Sequence, residues 1–141
     1  MRSAEDDVPP LLLQLAVSPE VPDRMDAGQG LARYAGRPAV DALLHRLLLD
    51  EQNTAITYET AEALLARGDL VGARAVARAM AEADPRDLTA AWLLDAVHNA
   101  WRLRQEDVDR ARRLCEALVS SGDALVRRGA AGLLVYLGEG T

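Results

Sequence analysis

Between Thr54 and Asp84 the chain carries one apolar helical stripe, a break, and a second stripe. Ile56, Ala61, Leu64 and Leu65 share a face of the first segment. Gly68-Asp69 interrupts it, and Ala73, Val76, Ala77 and Met80 begin the next. A lone antiparallel helix pair of about thirty residues cannot bury both of its apolar faces, so it must stack on units like itself.

The flanking sequence supplies such units. In the second helix of each pair, Val40, Ala73 and Val108 correspond, at spacings of 33 and 35 residues. Leu43, Val76 and Ala111 correspond in turn, as do Leu47, Met80 and Cys115. In the first helices Ile56, Leu88 and Leu125 align, each followed by an apolar pair: Leu64-Leu65, Ala96-Val97 and Leu133-Leu134. Gly36, Gly68 and Gly138 mark first-helix ends. Ahead of these, Pro9-Pro10 opens a short leucine-rich helix that ends at Ser18-Pro19. Gly28 and Gly30, inside the helix that starts near Pro22, imply either close helix-to-helix approach or a local break. Asp87 is a candidate N-cap for a long helix through Trp101, and Asp123 for a final helix Ala124–Leu137. The pattern predicts an all-α fold, a right-handed α-solenoid of about three stacked antiparallel hairpins with terminal half-repeats. It occupies residues 8–138 as a single domain, with tails at 1–7, expected to be disordered, and 139–141.

Composition agrees with closely spaced helices. Half of the 141 residues are hydrophobic but only 4% are aromatic and none is Phe, so the apolar content is mostly Ala and Leu. All 16 basic residues are Arg, a bias expected of a GC-rich bacterial genome. The net charge of −6 disfavours a nucleic-acid backbone as partner. Acids crowd the first half, and Arg102, Arg104, Arg110, Arg112, Arg113, Arg127 and Arg128 make the last third locally basic. Such an imbalance is either ordinary solvated surface or a polarised binding surface. A single cysteine, an acidic start without a leader, and an apolar run of only Leu11–Val17 lead to the expectation of a cytoplasmic protein without membrane attachment.

Two stretches, Leu47–Asp50 through Glu62-Ala63-Leu64-Leu65-Ala66-Arg67-Gly68-Asp69 and Leu125-Val126-Arg127-Arg128-Gly129-Ala130-Ala131-Gly132-Leu133-Leu134, resemble the short bacterial HEAT-like repeat of the PBS-lyase type, within the armadillo-like class. That family follows an apolar-Arg step with paired alanines, a leucine and Gly-Asp. Thr57 and Thr89 stand where its Arg would be. Gly68, Ala61, Ala73 and Pro85 are also similar to the turn, packing and closing residues of tetratricopeptide repeats. Asp41 departs from that pattern, and either resemblance implies an α-solenoid.

Chemistry is sparse. His45 and His98 have no ligand partners at metal spacing, and His45 flanks an apolar stripe. Cys115 lies on the stripe with Val108, Ala111 and Leu118, which makes it core rather than nucleophile. No metal, cofactor or catalytic residues are expected. Trp92, Asp95, Asn99 and Arg102 are spaced to share one helix face, and Tyr58 and Glu62 lie on the preceding first helix. These six are the candidate partner-binding residues, with Tyr34 in a position comparable to Tyr58. The aromatic-carboxylate pair Trp92–Asp95 loosely resembles the cleft of helical-repeat alkylpurine DNA glycosylases.

Three functions follow as expectations: a non-catalytic protein-binding scaffold, an immunity-type inhibitor of a basic toxin, and, third in rank, a glycosylase or lyase-like enzyme. The partner is expected to be another protein. A homodimer would follow if the terminal helix left its apolar face uncovered.

Overall fold

The computed structural model describes residues 7–138, and the 1–6 and 139–141 segments of the expected tails lie outside them. The described chain is helical and without strands. Eight α-helices follow in order: α1 (Pro10–Ala16), α2 (Val21–Leu31), α3 (Pro38–Leu48), α4 (Thr54–Leu65), α5 (Leu70–Glu82), α6 (Leu88–Val97), α7 (Gln105–Leu118) and α8 (Ala124–Gly138). A 3-10 turn, Ala32–Tyr34, extends α2, and a π-helical turn, His98–Arg102, extends α6.

Local chemistry explains where the helices begin and end. Prolines occupy the first turns of α1, α2 and α3, where a missing amide hydrogen costs nothing. Asn53 caps α4 by accepting from the Ala55 amide at 2.9 Å, and Asp69 caps α5 by accepting from Gly72 at 3.0 Å. Asp123 caps α8 through the amides of Leu125 and Val126. Asp87 stands at the N-cap of α6 in extended backbone, but its side chain makes no capping bond. Gly36 and Gly68 turn the chain at φ 105° and 70°, in the left-handed region that glycine enters freely.

The helices pack in two rows. In one, α1, α2, α4 and α6 lie side by side in chain order. In the other the order is α3, α5, α8, α7, because α8 is wedged between α5 and α7. The correspondence of Leu125 with Ile56 and Leu88 would place α8 beyond α6. Instead its extensive contacts are with α5 and α7. Glycine permits this packing: the bare Cα of Gly129 lies against the Ala77 carbonyl, a contact that no side chain would allow. Val126, Ala130, Leu133 and Leu137 line the same buried stripe. The apolar face of the terminal helix is therefore covered within the chain.

Between the rows lies the core, built on Leu31, Leu44, Leu48, Ile56, Leu64, Val76, Leu93, Val97, Leu133 and Leu137. Leu88, aligned in the repeat pattern with the buried Ile56, is 71% exposed, so the alignment does not hold at that position. Gly28 is a point of close approach, against the Thr60 side chain of α4. Thr57 and Thr60 are fully buried, and their hydroxyls have no hydrogen-bond partner.

Two arginines tie together segments distant in sequence. Arg24 is nearly buried and donates to Asp50 at 3.1 Å and to the Ser18 carbonyl at 2.9 Å. Asp50 also accepts from the amides of Gln52 and Asn53, holding the turn before α4. Arg67 grips Asp69 through two nitrogens and reaches back to the Ala32 carbonyl at 2.8 Å.

Candidate functional site

Helix α4 sets Tyr58 and Glu62 one turn apart, and α6 sets Trp92 and Asp95 on its neighbouring outward side. The Tyr58 and Trp92 rings meet edge to face, with centroids 6.0 Å apart and planes at 86°. Trp92 remains 38% exposed. An indole left this open on a helix surface is a feature of contact surfaces more than of cores.

Where α6 would continue, the backbone widens into the π turn. Such single turns occur often at functional sites because the extra residue re-aims the side chains that follow. Here Trp101 is driven into the core, at 5% exposure, while His98 and Asn99 stay exposed. Asn99 donates from Nδ2 to the Tyr58 hydroxyl at 2.7 Å, which leaves its Oδ1 as an acceptor.

Of the six residues singled out in the sequence, the structure brings Tyr58, Trp92 and Asn99 into direct contact. Glu62 lines a groove of about 380 Å³ together with Asn99. Leu65, Ala66, Ala96, Ala100 and Trp101 give the groove an apolar floor, and Asp107 and Arg110 close it from α7. Asp95 is exposed beside it on α6. Arg102 departs from the shared face. Its guanidinium stacks 4.9 Å from the centre of the Tyr136 ring and donates to the Tyr136 carbonyl at 3.2 Å. The Tyr136 hydroxyl in turn lies 3.4 Å from His98 Nδ1.

Asp107, Arg110, His98 and Tyr136 were not legible as members of this surface. Asp107 and Arg110 reach the groove only because α7 packs on the π turn, and Tyr136 only because α8 folds back. Tyr34, the counterpart of Tyr58, carries Arg37 at 5.2 Å over its own ring instead.

A second cleft, about 300 Å³, opens between α3, α5 and the start of α8. Asp41, His45, Arg74, Arg78 and Asp123 line it, and His45 Nε2 lies 2.9 Å from Glu82 Oε2. Asp41 accepts from the Gly36 amide, and Asp123 faces Arg78 at 3.4 Å while capping α8. Most of its charge thus holds the fold together. Cys115 is fully buried; desolvation first, and the Glu116 charge second, push its thiol up to about 11, so it is an inert core group. Among the described residues no group of three or more His, Cys, Asp or Glu is arranged to hold a metal ion. No described helix is long and apolar enough to cross a membrane.

Comparison with protein-family models, with curated proteins and with solved structures finds no match to this chain.

Proposed function

We propose that this protein is a non-catalytic protein-binding module built on a HEAT-like helical array, and that its binding surface is the outer side of α4, α6 and the π turn. The observation that carries this reading is the half-exposed Tyr58–Trp92 pair, pinned by Asn99 beside an apolar-floored groove. Rigid aromatic anchors next to a concave patch are what binding hot spots are made of. The hairpins α2–α3 and α4–α5, related by the repeat spacing, support the array reading. An excision enzyme would need its carboxylate enclosed against a flipped base, whereas Asp95 stands exposed beside the groove.

Affinity capture from the source organism, run in parallel with the wild-type chain and with the Trp92→Ala and Asp95→Arg variants, tests this. The expected result is a protein retained by wild type and depleted roughly tenfold or more by Trp92→Ala, as for a central hot spot. Circular dichroism should show both variants folded. Identical retained sets for wild type and Trp92→Ala would overturn the proposal. Suppression of the activity of a retained basic enzyme would identify the binding as that of an inhibitor.

A further inference from the structure

Acceptors outnumber cations among the polar groups that line the groove. Glu62 and Asp107 present carboxylates, and Asn99, whose amide nitrogen donates to Tyr58, offers its amide oxygen as an acceptor. The one cation in the lining, Arg110, is already paired with Asp107 at 3.7 Å. Glu62 makes no hydrogen bond or ion pair with the described residues, and neither does Asp95 on the adjoining turn. The same sign extends outward over the row. Gln29 of α2 donates to Glu59 of α4 at 3.0 Å, which joins the outer sides of these helices, and Asp26 stands exposed one turn before Gln29.

We infer that the groove receives an arginine side chain from a basic segment of the partner protein. The fit is threefold. The apolar floor of Leu65, Ala96, Ala100 and Trp101 suits the methylene stem, which prefers such surface while its charged head stays with polar groups. Glu62, Asn99 Oδ1 and the Asp107 oxygen that does not face Arg110 suit a planar five-donor guanidinium, which satisfies several acceptors at once and sheds water more readily than an ammonium. The aromatic pair, joined to the groove through the Asn99–Tyr58 hydrogen bond, provides π faces for a second cation of the same segment. A chain of net charge −6 would also attract a basic partner over distance. The inference rests on the binding-module reading and adds the chemistry of what is bound.

Backbone amide NMR of the full chain, titrated with Nα-acetyl-arginine methylamide, tests it. Its citrulline counterpart, equal in shape and uncharged, is the control. Shifts are expected at Glu62, Ala96, Asn99, Ala100 and Asp107 with the arginine probe and not with citrulline. Glu62→Gln should weaken the arginine probe by roughly tenfold, the cost of one charge-assisted hydrogen bond. Because Glu62 is exposed and pairs with none of the described residues, that variant should keep the wild-type melting temperature. Equal shifts with citrulline, shifts elsewhere only, or an unchanged affinity in Glu62→Gln would each overturn the inference. Failure here with a partner still lost on Trp92→Ala would leave the binding module standing without a cation pocket. Success here with no Trp92-dependent partner would overturn the proposed module and keep the pocket.

Discussion

At the scale of single residues, glycine carries more of the packing information than any charged group. Gly129 and Gly132 sit one turn apart on α8 with the same local helix preference, yet their surroundings are opposite. A Cβ on Gly129 would collide with the Ala77 carbonyl of α5, a backbone atom that cannot swing aside, whereas a Cβ on Gly132 would meet nothing within 4 Å. Replacement by alanine gains up to about 1 kcal/mol of helix preference at either site. At Gly129 overpacking outweighs that gain, so Gly129→Ala should destabilise the protein by about 1–3 kcal/mol. Gly132→Ala should instead stabilise it by about 0.5–1 kcal/mol. Urea denaturation of the two variants checks the pair, and a shift in the same direction for both would contradict the α5–α8 contact. Gly28 was legible as either a contact glycine or a local break because it interrupts a helical pattern; that it faces Thr60 was not legible.

Among elements, the α4–α5 turn shows how one acid can serve two structures. Asp69 caps α5 and is held by the Arg67 guanidinium, which also grips the carbonyl of Ala32 in the preceding unit. Burial alone would raise the Asp69 pKa; the Arg67 hydrogen bond and charge and the Gly72 amide outweigh it and hold the carboxyl below its usual range. A group with a depressed folded pKa stabilises the fold above its unfolded value, about 3.9, and loses that contribution as pH falls through the lower folded value. The stability difference between wild type and Asp69→Asn, which keeps a capping oxygen, should therefore be present near neutrality and shrink below about pH 4. Asp69 is half exposed, so the difference will be small. Asp69→Ala should cost about 1 kcal/mol more through loss of the cap. Chemical denaturation of the three proteins across the acid range measures both effects, and a gap that widened on acidification would refute the pairing.

Across the whole molecule, the position of α8 matters most. In a linear helical array a terminal half-unit is a lid, and its removal costs only the neighbour it covers. Here α8 lies between α5 and most of α7, and α7 rests chiefly on α8 and the π turn, with a smaller contact on α5. Ending the chain after Gly122 should strip α7 and the outer side of α5 of their cover together. Hydrogen exchange should then lose protection throughout α7 and retain it in α2 and α4, with apolar dye binding to the exposed stripe. Protection of α7 equal to wild type would show that α8 is only a lid. The arginine groove, closed by Asp107 and Arg110 of α7, should disappear in the same variant.

How much of this was written in the sequence differs by level. The helices, their glycine turns and the buried stripes of α3, α4, α5 and α7 follow from residues three to five apart, since helical periodicity, capping and turn conformation are local properties. So does the shared side of Trp92 and Asp95 on α6, because an α-helix dictates which residues share a side; that Tyr58 of α4 meets Trp92 does not. Three things were decided only by tertiary contact. A π turn after Val97 detached Arg102 from that group, and nothing in local preference distinguishes it from one more α turn. Leu88 aligned with Ile56 in the repeat but came to lie in solvent. Finally, α8 had an apolar face that suited either row. Its packing on α5 and α7 includes a close backbone approach at Gly129, a contact across 52 residues that no local pattern encodes.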